Sequence, residues 1–422
     1  MARFLFATWE GGGHVQPMLL VAQGLAALGH ATLALSDACN GPDAAALGVP
    51  FAAWRTAPSR PSRDHETDPV QDWRAQSPLE VIGRIVDGVM CGPSDRYAAD
   101  AGAAIAAFGP DVVVSQELLM GAMAAAEAAR VKLAVFASNL WSLPTLDGAP
   151  PFGAGAPPAA DEGARAFYRR ITALSRQAFQ AGLPALSEAR ARLGLPPLDD
   201  VFDQLGAAEA ILLATSRAFD FDQAPPAPYR YVGPYLADPA WVEPWTSGLA
   251  DGDRRPLVAV SLSTMYQGQE SVLRRVIEAL GSLNVRAVVT LGPMLNAADF
   301  PAGPSVRVCE RAPMSAILPL AAAMVTHAGH ASSLRPLMAG VPLVCLPMGR
   351  DQFDNAARVK ERGAGLTLRA DSSAADIAAA IARVLAEQSF SEAARSLGSL
   401  IAADFLARSA ERALIEIAEG GT

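Results

Sequence analysis

Cysteine is scarce in this chain, and so is net positive charge. Only four cysteines, Cys39, Cys91, Cys309 and Cys345, stand among 422 residues, without a CxxC pair. That spacing argues against a zinc site and a disulfide framework, and predicts four reduced thiols. Charged residues make up 18% of the chain and the formal net charge is −9. A nucleic-acid partner would need clustered Lys and Arg, so that class is set aside. Long apolar runs are missing too. None reaches the ~18 residues that a membrane-spanning helix needs. The opening MARFLFATWEGGGH has one basic residue and an apolar run too short for a signal peptide. These absences predict a cytoplasmic protein with no integral membrane segment. No internal repeat recurs at a fixed period.

What is present is ample apolar material, 51% of residues. The length exceeds what one core usually supports, which predicts two domains. Short apolar, β-branched runs alternate with helical segments. Strands are expected at Arg3–Thr8, Ala31–Ser36, Val112–Ser115, Lys132–Ala137 and Ala210–Ala214, then at Leu257–Ser261, Ala287–Leu291, Ser305–Val308, Met324–Thr326 and Leu343–Leu346. They lack clear alternation, as strands buried on both faces do. Helices such as Pro17–Ala27 and Ser271–Ser282 fall between them. The fold expected is α/β, with two doubly wound parallel-sheet domains facing across a cleft. Six prolines crowd residues 224–251, which marks a linker between domains at 1–223 and 252–402. Two long loops in the first half, Pro58–Pro78 and Pro144–Pro158, are candidate binding elements.

The most informative stretch runs from His327 to Asn355, HAGHASSLRPLMAGVPLVCLPMGRDQFDN. A strand ending at Thr326 meets a small-residue turn, and a helix is expected to begin near Ser332. Free backbone N–H groups and the positive end of the helix dipole make that a site for a pyrophosphate. His327 can donate a hydrogen bond to a phosphate oxygen. After the next strand, Asp351 and Gln352 present a carboxylate and an amide side by side, which suits a ring of sugar hydroxyls. From Arg311-Ala-Pro to Asn355 the order and spacing resemble the nucleotide-sugar signature of natural-product glycosyltransferases of the two-Rossmann GT-B architecture. The resemblance implies a metal-independent transferase that takes a UDP- or dTDP-hexose as co-substrate and needs no other cofactor. It implies His327, Gly329 and Ser332 on the diphosphate, Thr264 and Ser263 beside them, and Asp351 and Gln352 on the sugar. Gly13, Arg311, Ala312, His330 and Ser333 complete the implied donor set. Arg311 stands where many relatives carry a tryptophan that stacks on the base, and a guanidinium plane can also stack. Arg335 stands where plant relatives carry a glutamate that holds ribose hydroxyls. UDP and dTDP therefore stay open. The architecture also implies that residues 403–422, with Phe405–Glu419 helical, pack back on the first domain.

After the first strand, Trp9-Glu-Gly-Gly-Gly-His-Val-Gln-Pro brings three glycines and an imidazole to a strand–helix turn. A dinucleotide fingerprint is one reading, with Gly11 and Gly13 and with Asp37 as ribose ligand, but Gln16 occupies the third glycine's place. Gly-His-x-x-Pro instead resembles the family's acceptor-side motif, which implies His14 as general base of an inverting transfer. An imidazole suits that role, since it titrates near neutrality. The family's orienting aspartate has no exact counterpart. Gln116 stands at its place and Glu117 one residue later, and the two stay open. Met90, Met120, Trp141 and Phe152 are candidates to line a pocket for a small hydrophobic, hydroxylated acceptor. A catalytically weak helper protein and a sugar-nucleotide epimerase are the competing readings. His65 is expected to be a solvated loop residue.

Overall fold

A strand covered on both faces needs an apolar side chain at every position, and runs such as RFLFA and LVAVS meet that demand. A computed structural model of the chain describes residues 1–221, 226–238, 252–262, 266–292 and 295–420. Its strands form two parallel sheets. The first holds β1 (Arg3–Ala7), β2 (Ala31–Ser36), β3 (Phe51–Ala53), β4 (Val112–Gln116), β5 (Lys132–Ala137), β6 (Ala210–Leu213) and β7 (Tyr229–Tyr231), ordered 3-2-1-4-5-6-7. The second holds β8 (Leu257–Ser261), β9 (Arg286–Thr290), β10 (Val306–Cys309), β11 (Ala323–Thr326), β12 (Leu343–Cys345) and β13 (Gly365–Thr367), ordered 10-9-8-11-12-13. Each sheet is doubly wound. In β1, Phe4 and Phe6 enter the core on one face while Leu5 and Ala7 enter the other.

The ten expected strands all form, with ends shifted by a residue at most. Three others do not stand out in the sequence. β3, β7 and β13 are three residues each and lie at sheet edges, where FAA, YRY and GLT need cover on one side only. β7 comes from within the proline-rich stretch expected as linker. Most of the remainder of that stretch, residues 239–251, lies outside the described residues.

Five helices carry the functional argument: α1 (Val15–Ala27), α2 (His330–Met338), α3 (Gln352–Glu361), α4 (Gln388–Ala407) and α5 (Ser409–Glu419). α2 starts at His330, two residues before the expected Ser332. Ala328 adopts a left-handed φ of 65° and Gly329 caps the helix, so the turn is completed early. The expected single helix Phe405–Glu419 is divided. Arg408, at φ 47°, ends α4 and opens α5. α5 presents Ala410, Ala413, Leu414 and Ile417, an i, i+3, i+4, i+7 stripe, to the first domain's core beside Met18 and Val21 of α1. Burial of Leu414 and of Ile417 contributes about 1.5–3 kcal/mol each. The helices approach so closely that a Cβ on Gly24 would lie 2.2 Å from Glu411 Oε1. Tyr235 Oη accepts the Ala410 N–H at 3.0 Å, and Lys132 Nζ donates to the Ile417 and Ala418 carbonyls at 2.8 and 3.1 Å, so groups at both helix ends find partners.

Candidate active site

Ligands of doubly wound sheets bind beyond the strand ends where the order reverses. Here those points lie between β1 and β4, and between β8 and β11. Register pairs Ala7 with Ser115 and Ser261 with Thr326, so residues just after these strands stand side by side. They open on one cleft of about 910 Å³ lined by both domains.

On the first wall, the Trp9–Gly13 turn leads into α1 with His14 as N-cap. Gly11 is obligatory there. A Cβ would meet His14 Nδ1 at 2.6 Å and the Trp9 ring at 2.7 Å. The Trp9 and His14 rings meet edge to face at 5.5 Å. Ser138 Oγ donates to the His14 carbonyl at 2.8 Å and ties the turn to the end of β5. His14 Nδ1 is buried without a hydrogen-bond partner. Burial, helped by the Arg350 guanidinium, pushes the imidazole down to about 4. Gly13 also borders the cleft.

The two candidates after β4 divide. Gln116 is fully buried and does not reach the cleft. Its Oε1 accepts the Leu118 N–H at 2.8 Å, which holds the turn. Glu117 does line the cleft, with Oε2 buried and unpartnered, and burial pushes its carboxyl up to about 8. Neither side chain is bonded to His14 Nδ1.

The acceptor candidates divide as well. Phe152 lines the cleft. Met90 and Met120 are fully buried in the first domain's core, where large apolar side chains ordinarily go. Trp141 also stays out of the cleft, because Thr145 takes its Nε1–H at 2.9 Å and Tyr229 packs on its ring at 5.1 Å. Val70, Val81, Ile85 and Leu118 supply the apolar lining instead.

On the second wall, His327, Gly329, His330, Ser332, Arg311, Ala312, Asp351 and Gln352 all border the cleft. Gly329 cannot carry a Cβ, which would fall 2.5 Å from His327 Nε2. His327 Nδ1 is buried and unpartnered, and burial pushes that ring down to about 4. Ser333 is fully buried and does not border the cleft. Ser263 and Thr264 lie outside the described residues. The His330 ring reaches Asn355 Oδ1 at 3.3 Å and, across the domains, the Ala214 carbonyl at 3.4 Å. Asn355 Nδ2 in turn donates to Asp351 Oδ2 at 2.8 Å. Burial pushes the Asp351 carboxyl up and the His330 imidazole down. Gln352 is committed. Its Oε1 accepts the Met348 N–H at 2.8 Å and its Nε2 donates to Gln267 at 2.8 Å, so it shapes the turn that carries Asp351.

Comparison with known proteins identifies the family and the fold. The domain family described as the erythromycin biosynthesis protein CIII-like C-terminal domain matches residues 274–416. 4'-Demethylrebeccamycin synthase of Lentzea aerocolonigenes is 30% identical over 99% of both chains. The chain belongs to the natural-product glycosyltransferases. Among solved structures, the glycotransferase of kitacinnamycin is similar with a TM-score of 0.76 at 19% identity, over 99% of this chain and 98% of that one. The Streptomyces sp. SF2575 glycosyltransferase SsfS6, complexed with thymidine diphosphate, is similar with a TM-score of 0.65 at 20% identity, over 98% of this chain and 100% of that one. The two-domain GT-B fold is thereby established for this glycosyltransferase.

Several contacts in and around the cleft of the glycosyltransferase differ from what the sequence leads one to expect. Arg350 and Asp72 form a two-pronged ion pair across the domains, Nε to Oδ2 at 2.5 Å and Nη2 to Oδ1 at 2.7 Å. Arg335, in α2, pairs with Asp238 at 2.8 Å and borders the cleft. His65 is not a free loop side chain. Its ring packs on Tyr266 of the second domain at 4.7 Å and near Trp73 at 5.7 Å. The Pro144–Pro158 loop is likewise anchored, since Asp354 of α3 accepts the Gly153 and Gly155 N–H groups at 2.6 and 3.0 Å. Nothing in the local sequence pairs Asp72 with Arg350. The one local signal was the left-handed φ of 57° at Arg350, and that is visible only in the fold.

Proposed function

We propose that this glycosyltransferase moves a hexose from UDP- or dTDP-hexose to a hydroxyl of a small aromatic or polyketide-like acceptor, with inversion and without a metal. The carrying observation is His14, a neutral imidazole with an unpartnered Nδ1, on the wall opposite the N-terminus of α2. The acceptor O–H gives its proton to His14 as its oxygen bonds to the anomeric carbon. The bond from that carbon to the diphosphate oxygen breaks on the far face, and the nucleoside diphosphate leaves with both electrons. The helix dipole of α2, its free N–H groups and His327 receive the growing charge. Asp351 accepts hydrogen bonds from sugar hydroxyls, and Gln352 holds the turn that aims it. A bound diphosphate offsets the Arg350 charge that depresses His14, so the base strengthens when the donor arrives.

The acceptor side of the reading is supported by Val70, Val81, Ile85 and Phe152 along the first wall. An acidic hydroxyl such as a phenol suits a base that lacks a bonded carboxylate. A cytoplasmic location belongs to the same reading, and the four cysteines are free. The test is incubation with UDP-glucose or dTDP-glucose, a panel of phenols and polyketides, and a chelator, read by mass. A chelator-resistant glycoside is expected, and its loss on chelation overturns the metal-independent mechanism.

A further inference from the structure

We propose that Arg350 grips the donor's diphosphate directly and that Asp72, from the other domain, aims it. The inference rests on the transferase reading above and deepens it. A guanidinium has five N–H groups in a planar fork. Asp72 takes the edge formed by Nε and Nη2, at 2.5 and 2.7 Å. The structure gives the other edge, Nη1 and the second Nη2 hydrogen, no acceptor among the described residues. Nη1 is also not sealed from solvent, because it is absent from the buried unpartnered atoms while the residue borders the cleft. A side chain held on one edge and open on the other is set up for a second two-pronged anion.

Position supports the same partner. Arg350 ends the turn after β12, whose Cys345 is in register with Thr326 at the end of β11, the strand that leads into α2. Its charge is felt by both His14 and His327, one on each wall, and Arg350 borders the same cleft as both. Arg335, also bordering the cleft, is occupied by Asp238. Arg63, also bordering the cleft, is occupied by Glu10 and Asp43. Arg350 is one of five non-glycine residues among those described with a left-handed φ, and Gln71, next to Asp72, is another, so both partners sit at turns whose cost the fold sustains. Asp72 lies in the 58–78 loop, which is also fastened to the second domain through His65 and Tyr266. Donor grip is therefore linked to the seating of that loop, and a first-domain residue tunes a second-domain site.

The test is calorimetric titration with thymidine or uridine diphosphate and, separately, the bare nucleoside, on wild type, Arg350→Met, Asp72→Asn and the double variant. Arg350→Met should weaken the diphosphate about tenfold or more and leave the nucleoside unchanged. Asp72→Asn should weaken it by a smaller factor, about two- to fivefold. The double variant separates grip from repulsion by an orphaned Asp72. It should stay as weak as Arg350→Met, and recovery to wild-type affinity would overturn the direct contact. Unchanged diphosphate affinity in Arg350→Met would also overturn it while leaving the transferase reading intact. Wild type that binds neither nucleotide would sink both. Thermal melts of all four proteins guard against misfolding, and Arg350→Lys gives a second folded probe. It keeps the charge but loses the fork, and should recover only part of the affinity.

Discussion

The two walls of the cleft are built differently. About half of the second-domain wall comes from one continuous segment, His327 to Gln352, spanning a strand end, a helix start and the next strand end, and most of the rest from the ends of β8, β9 and β10 and the residues after them. Many of its polar groups are engaged, Gln352 with Met348 and Gln267, Asp351 with Asn355, Arg335 with Asp238. The first-domain wall is collected from distant places, the Trp9–His14 turn, the 58–78 loop, Glu117 after β4 and Phe152. Three buried polar atoms of its cleft residues have no partner, Trp9 Nε1, His14 Nδ1 and Glu117 Oε2, against His327 Nδ1 among the described cleft residues of the second wall. A wall that meets the same nucleotide each time can be fixed by bonding among its own polar groups. The first wall carries more unsatisfied buried groups, and each of these is costly to the fold.

The sharpest way to separate the walls is His14→Ala. Transfer should fall by about 10²–10⁴-fold, the usual worth of a general base, while nucleoside diphosphate affinity stays within about twofold. Steady-state rates beside calorimetric titration check it, and a joint loss would mean the walls are not separable. Next in size is Leu414→Ala on α5, which should destabilise the chain by about 2–5 kcal/mol in chemical denaturation. The helix bonds the chain's end to the first wall's core, so a change under about 0.5 kcal/mol would mean α5 is loosely docked.

Much of this was legible beforehand, and the divide follows the same contrast. The central strands announce themselves because both faces are covered, and the 327–352 segment because its strand end, helix start and next strand end follow one another in the sequence. The edge strands β3, β7 and β13 were silent since three half-covered residues carry little pattern. Met90 and Met120 were misassigned to the acceptor pocket because burial in a core and burial under a ligand select the same side chains. Asp72 and Asp238 owe their roles to partners 278 and 97 residues away. No local motif records such a pairing.

Two smaller effects sharpen the account of the first wall. Glu117 stays neutral in the fold up to about 8, against an ordinary value of 4.5. The unfolded chain therefore gives up that proton first, and stability falls as pH rises between the two values. Glu117→Gln should remove the penalty, with a gain near zero at pH 4.5 growing to about 2–4 kcal/mol at pH 8. Melts at both pH values check it, and a gain that does not grow with pH would mean the carboxyl finds water or a partner. The smallest effect is a missing one. With His14 held near 4 in the empty cleft, kcat/KM should stay level from pH 8 down to about 5 and decline only as pH falls through about 4. An acid limb centred near 6.5 would mean the ring is solvated.

The central claim is direct displacement at the anomeric carbon, driven by His14 across a cleft that holds the nucleotide on the opposite wall. The most direct test is the anomeric configuration of the glycoside made from an α-linked nucleotide sugar in the presence of a chelator, read from the proton coupling at the anomeric carbon. The account predicts a β-linked product. An α-linked product would contradict it, since retention requires a second displacement or a same-face mechanism that His14 does not supply.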